Sequence, residues 1–477
     1  MNENKSRFSN PVEVSIRDIH QAFAEGELTA VRLVQMYLDR IAAYDQQGPK
    51  LNSIITINDR ALQEAAALDK TYSQKGLTGP LHGIPIIVKD NMNTSDMPTS
   101  GGCDALRDSI PPDDAFVIKK LKRAGGIILA KSSMSEFAFG TGDTINSVLR
   151  GYTCNPYNPE YAVGGSSGGT GASISANFAV VGLGTDTACS VRTPSSINCL
   201  AGLRPTFGLV SCSGVIPMRV CWDTVGPMTR NMEDLAIVLD VMAGYDPDDT
   251  NTSECRGNIP ESYTQDLTKN ALNGMRIGVM RQVFQPEDAD SEVIALTDQA
   301  MADMQKAGAT IIDPLEIPGY RSSEPAGCFT NRFRYNLNSY LASLGPDAPF
   351  KTLGEIVDSE RVLPRFLKMF RNLNENLATP EDDPEIALKQ EITERVISWL
   401  GGVMDDCNLD AIALPTFSYP PRKNEGDDSP LGCNTDFASI AGFPALIVPM
   451  GFTSKGLPMG LQLVGKPWSE STLIRAG

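Results

Sequence analysis

The chain has 477 residues, 41% of them apolar, with 42 glycines and 32 prolines, enough to bury a large core. A net charge of −17 disfavours a nucleic-acid partner, whose phosphates need clustered Lys and Arg, and no run of about eighteen apolar residues offers a membrane-spanning helix. Two histidines and ten scattered cysteines without a CxxC pair argue against a zinc site and fit mostly buried free thiols in a reducing cytoplasm.

In chain order, Ser15 and Asp18 form a capping box for a helix with Ile16, Ile19 and Phe23 at helical spacing, ended by Gly26. Thr29 caps a longer helix with Leu33, Met36, Tyr37 and Ile41 on one face. Residues 51–57 predict a strand and 60–72 a helix. The stretch from Gly79 to Asp90, GPLHGIPIIVKD, holds an apolar strand that runs into Lys89. A lysine there is either an ordinary surface cation or a buried one, because the four residues before it demand burial. A helix over 114–124 and a strand over 127–130 follow, then the run Lys131 to Phe137, with Phe139 and Gly140 just beyond.

Gly164 to Gly169 reads GGSSGG. Four glycines in six residues make poor helix or strand material and let the backbone take conformations closed to other residues. Small residues from Thr170 to Ala176 predict a tightly packed helix, and the apolar run from Phe178 to Leu183 carries the chain back through the interior. It ends on Gly184-Thr185-Asp186-Thr187, then Ser190 and Arg192. Two serines, Ser166 and Ser190, 24 residues apart, are thereby returned to one region. Beyond them, residues 229–243 predict a helix, 275–280 a strand, 291–307 a helix and 310–312 a strand, a β-α-β rhythm. Residues 320–400 read as mostly helical around a solvated loop, Thr379 to Pro384. Strands are expected over 408–415, 443–449 and 456–464, with a loop over 417–431.

Three segments, GGSSGG at Gly164, GTDTACSVR at Gly184 and GLRPT at Gly202, resemble the signature of the amidase signature family of serine hydrolases. The segment at Lys89 resembles the family's G-I-P-x-x-V/I-K-D, and Lys131 to Phe137 its K-T/S-N-x-x-E-F, with Ser133 in place of Asn. The resemblance implies an α/β fold. One large domain spans residues 1–477, with a mixed β-sheet core covered by helices on both faces. The signature core lies at about 79–210 and a variable, substrate-shaping helical region at about 320–400.

The same resemblance implies the chemistry. Ser190 is the nucleophile, Lys89 the base, and Ser166 the serine that bridges them from an unusual cis peptide. With only His20 and His82 in the chain, a lysine base is the better reading than a Ser-His-Asp triad. Backbone N–H groups of Thr187, Ala188, Cys189 and Ser190 are expected to form the oxyanion hole. Asp186 and Arg192 are expected to support that loop, the alternative being a surface ion pair. Phe139, Gly140 and Gly165 are candidate substrate contacts, with Phe139 and Gly140 reading equally as ordinary core. No metal or organic cofactor is implied.

The expected activity is hydrolysis of a small amide, ureide or carbamate through an acyl-enzyme. One alternative is the glutaminase subunit of a tRNA-dependent amidotransferase. Another is a catalytically silent amide-binding homologue, suggested by Ala188-Cys189 where the family has Gly-Gly. The expected setting is cytoplasmic, without membrane or nucleic acid, with homodimerisation common in such enzymes.

Overall fold

In a computed structural model, the described residues are 8–140, 146–147, 149–265, 267–317, 320, 331–425 and 431–477. Their strands are β1 (Ile54–Ile57), β2 (Pro85–Lys89), β3 (Ile127–Ser132), β4 (Asn146–Ser147), β5 (Gly151–Tyr152), β6 (Val181–Asp186) and β7 (Ala201–Arg204). They continue with β8 (Thr224–Thr229), β9 (Arg276–Val279), β10 (Thr310–Ile312), β11 (Ala411–Pro415), β12 (Ala445–Phe452) and β13 (Pro458–Val464). Eleven of them form one sheet in the order β1-β3-β2-β6-β8-β7-β12-β13-β11-β9-β10. The sheet is mixed. β3, β2 and β6 run parallel, as do β11, β9 and β10, and the pairs between these two groups are antiparallel.

β2, β3 and β6 are buried along their whole length, as the continuous apolar runs require for parallel strands covered on both sides. The small-residue helix is Gly168–Ser175, buried from Gly168 to Ile174. Its glycines serve close approach. A Cβ on Gly169 would lie 2.2 Å from the Ser133 carbonyl oxygen and 2.5 Å from the Ser133 nitrogen, both rigid backbone. Gly169→Ala is therefore expected to destabilise the fold by roughly 1–3 kcal/mol. An unchanged urea midpoint would contradict that packing.

Several boundaries differ from the sequence reading for local reasons. The strand predicted from 51 begins at Ile54, because Asn52 has a φ of 52° and the Ser53 N–H donates to Asp45 Oδ1. The helix predicted from 114 begins at Phe116, because the Asp114 carboxylate accepts from the Ser95 N–H and Lys122 Nζ. The helix predicted from 229 begins at Met232, since Asn231 caps it and Thr229 ends β8.

The helices of the 320–400 region divide between two cores. Phe333–Ser343, Leu353–Asp358 and Pro364–Glu375 pack with Phe137 and Phe139 into a separate aromatic cluster. Ile386–Asp406 buries Ile392, Val396 and Leu400 in the main one. The cysteines are less buried than expected. Of the nine described, all free, only Cys103 and Cys255 are buried, Cys221 is exposed, and six are half-buried. Among the described residues no helix is long and apolar enough to cross a membrane.

Candidate active site

Lys89 is the last residue of β2 and is wholly buried. β2 runs parallel to β6, pairing Val88 with Leu183, so the carboxyl ends of both strands open at the same edge. Ligands in open α/β sheets bind at such edges. Lys89 Nζ lies 2.7 Å from Ser166 Oγ, 2.7 Å from Thr185 Oγ1 and 3.4 Å from the Thr185 carbonyl. Asn91 Nδ2 also donates to Thr185 Oγ1, at 3.0 Å. Burial pushes the Lys89 ammonium down to about 7, against the pull of Asp186, Cys189 and Asp223. Near neutral pH a large fraction of this lysine is therefore uncharged, the only form in which an amine accepts a proton.

Ser166 follows Gly165 through a cis peptide bond, and its side chain is buried. Gly164 before it takes a φ of 74°, and a Cβ there would lie 2.7 Å from the Pro194 backbone. Only glycine fits both constraints.

β6 ends at Asp186, and the chain turns sharply through Thr187, Ala188, Cys189 and Ser190 before the short helix Arg192–Ile197. The backbone N–H groups of Thr187, Ala188, Cys189 and Ser190 find no acceptor among the described residues. Four free donors in succession form a concavity for negative charge. Ser190 lies in this turn, and its backbone carbonyl accepts from the Ser167 N–H at 3.3 Å. Its hydroxyl is not hydrogen-bonded to Ser166. Ser190 Oγ instead lies 3.8 Å from Cys189 Sγ. The expected serine–serine–lysine chain is thus joined at its Lys89 end and open at its Ser190 end.

Asp186 anchors the turn. Its Oδ2 accepts from the N–H groups of Val191 and Arg192 and from Arg192 Nε, at 3.0–3.3 Å. Its Oδ1 lies 2.9 Å from both Arg192 and Arg204. All three side chains are fully buried, so the surface ion pair is excluded. Burial alone would raise the carboxyl, but the two guanidiniums hold it well below the usual carboxylate range. Arg192 also donates to the carbonyls of Ala188 and Thr435, to Gln462 Oε1 and to Ser439 Oγ. On the other flank, Thr187 Oγ1 donates to Asp223 Oδ1 at 2.5 Å.

Comparison with known proteins matches residues 32–474 to the family model described as Amidase. This chain belongs to the amidase family. Its relatives include a glutamyl-tRNA(Gln) amidotransferase subunit of Rippkaea orientalis, 34% identical over 97% of this chain and 96% of that one. The native peptide amidase of Stenotrophomonas maltophilia superposes with a TM-score of 0.90 at 34% identity, covering 98% of this chain and 96% of that one. The corresponding glutamyl-tRNA(Gln) amidotransferase subunit of Thermotoga maritima superposes at 0.75 with 25% identity, covering 98% and 94%. The protein is therefore an amidohydrolase.

In this amidase, Ala188 and Cys189 are not strained where glycines were expected, since neither takes a positive φ. Both side chains are half-buried beside Ser190. Phe139 is almost fully buried, edge-on to Phe333 and Phe370, so it reads as core. Gly140 is exposed, and the residues after it, 141–145, lie outside those described. The Gly165 carbonyl accepts from Thr193 Oγ1 at 2.7 Å, which fixes the loop before Ser166.

A second buried lysine, Lys131, sits behind the site. Its Nζ donates to the Met92 carbonyl and Thr99 Oγ1, each at 2.7 Å, and lies 3.5 Å from Asp90 Oδ1. Burial lowers it to about 8, yet its donors are committed to structure. Sequence reasoning missed Thr185, Asn91, Asp223 and the anchoring role of Arg204. Thr185, Asn91 and Arg204 stand inside or beside the motifs that mark the site, whereas nothing in the sequence marks Asp223.

Proposed function

We propose that this amidase works alone, with Ser190 as nucleophile, Ser166 as proton relay and Lys89 as base, on carboxamides of peptide-like compounds. The observation that carries this reading is the buried Lys89, lowered to about 7, bound to Ser166 at the foot of a turn with four free N–H donors. Ser190 Oγ attacks the amide carbon, and its proton passes through Ser166 to Lys89. The oxyanion takes up the N–H groups of residues 187–190. The proton returns through Ser166 to the leaving nitrogen as the C–N bond breaks. Water then attacks the Ser190 ester, gives its proton back along the same path, and releases the carboxylic acid. Ala188 and Cys189 narrow the acyl side of the cavity relative to a Gly-Gly turn.

The peptide-like substrate class is supported by the closer superposition on the peptide amidase than on the amidotransferase protein. A second reading, a glutaminase component of a larger complex, is supported by the relatives that bear an amidotransferase name.

A fluorophosphonate probe is expected to label the wild type and to leave Ser190→Ala unlabelled. A panel of carboxamides is expected to yield more ammonia from peptide C-terminal amides than from glutamine. Absence of labelling in folded wild-type protein would sink the serine mechanism. Ammonia from glutamine alone, with partner proteins co-purifying, would move the protein to the second reading.

A further inference from the structure

Asp223 is a buried carboxylate with no part in the proton path, yet it reaches the turn that carries Ser190. Strand register brings it there. β6 and β8 are antiparallel, and their last pair sets Asp186 opposite Thr224. One step beyond that pair, Thr187 comes opposite Asp223, and side chains so placed are close enough to touch. Thr187 Oγ1 donates to Asp223 Oδ1 at 2.5 Å, and both residues are buried.

The carboxylate is itself held in place. Asp223 Oδ2 accepts from the N–H groups of Met218 and Arg219, at 2.8 and 2.9 Å. The N–H groups of Trp222 and Asp223 both donate to the Arg219 carbonyl, at 2.8 and 2.9 Å, which closes 219–223 into a tight turn. Arg204 fastens the two turns together. It donates to the Asp186 carbonyl at 2.5 Å and to the Trp222 carbonyl at 2.8 Å. Burial raises the Asp223 carboxyl, and its donors, Thr187 first among them, pull it back.

Thr187 is the first of the four residues whose N–H groups are free. At the far end of their turn, Asp186 holds the Val191 and Arg192 N–H groups. At the near end, the Thr187 side chain is tied to Asp223. An oxyanion donor is worth most when it is already aimed before charge develops. We infer that Asp223 is a positioning residue for the reaction, fixing through the Thr187 hydroxyl the direction in which the Thr187 N–H meets the oxyanion. The inference rests on the roles proposed for Ser190 and for the N–H groups of residues 187–190.

The test cuts the tie from either side. Thr187→Val keeps the size and the backbone N–H and removes the hydroxyl. Asp223→Ala removes the acceptor. Each is expected to slow fluorophosphonate labelling of Ser190, and kcat on a carboxamide, by about 10- to 100-fold, less than the roughly 10²–10³ that a missing donor costs. KM should change little, as for an interaction made in the transition state. The double variant should be no slower than the slower single one, because both cut the same link. Thr187→Ser restores a hydroxyl and should recover most of the rate. Affinity for a trifluoromethyl ketone, which Ser190 converts to a tetrahedral oxyanion, should weaken in step with kcat/KM. Lost packing alone would lower the urea midpoint without that match, and such a result overturns the positioning role. If Asp223→Ala does not fold, Thr187→Val decides the question, since it leaves Asp223 its two backbone donors. Wild-type protein unlabelled at Ser190 would sink the serine mechanism and the inference with it. Wild type labelled at Ser190, with Thr187→Val labelled equally fast, overturns the role of Asp223 alone. Losses that multiply in the double variant overturn the link between the two residues.

Discussion

Lys89→Met is expected to lower kcat/KM by about 10²–10⁴, the usual worth of a positioned general base, while the protein stays folded. Methionine matches the length of the lysine stem and fills the same buried space. The wild-type rate should rise with pH and level off above about 7, where the Lys89 ammonium loses its proton. The variant's residual rate should lack that step. Wild-type stability should also depend on pH. In the unfolded chain a lysine keeps its proton up to about 10.4, while in the folded state it releases it near 7. Between these values the unfolded state binds the extra proton, so wild-type stability rises with pH across this window. Below it, the folded protein bears the full cost of a buried charge. Lys89→Met should therefore gain most in urea midpoint over the wild type at pH 6, and less at pH 9. A loss of activity under tenfold, or a wild-type profile flat from pH 6 to 9, would remove Lys89 from the mechanism.

Asp186→Ala is expected to cost roughly 3–5 kcal/mol, because it leaves buried guanidiniums without their counter-charge. Arg192 and Arg204 are both fully buried and both lie 2.9 Å from Asp186 Oδ1. That loss is a large part of the 5–15 kcal/mol that holds a typical domain together, so Asp186→Asn is the companion variant. It keeps a carbonyl acceptor for the Val191 and Arg192 N–H groups and loses only the charge. Its urea midpoint should fall between those of wild type and Asp186→Ala. The Asp186 carboxyl is held below its unfolded value. Its contribution is therefore complete above the unfolded carboxylate range, near 4, and is lost as pH falls below it. Wild type and Asp186→Asn should accordingly converge in stability as the solution is acidified. Equal midpoints at neutral pH would show that Asp186 does not anchor the turn.

The local elements were largely legible because their signals are local. The Ser15–Asp18 capping box, the Thr29 cap and the small-residue run at Gly168 each depend on neighbours a few positions away. β7 and β8 were not read as strands. Their residues, AGLR and TVGPMT, carry glycine and proline and gain strand geometry from pairing with β12 and β6. Phe139 follows a motif and reads locally as either a pocket or a core residue. Its neighbours Phe333 and Phe370 come from helices 194 and 231 residues further on, so local signals left the choice open.

The sequence by itself determined which residues are the candidates for the chemistry. Ordered motifs with fixed spacing name Lys89, Ser166 and Ser190, and two histidines leave lysine as the better candidate base. Only the tertiary structure decided how those groups stand. It buries Lys89 between β3 and β6, which is what lowers its ammonium to about 7. It closes two arginines on Asp186, leaves the N–H groups of the turn free, and turns Ser190 toward Cys189 rather than Ser166. A proton affinity and a free donor are properties of what surrounds a group in space, and sequence spacing records them only where the partners are near neighbours in the chain.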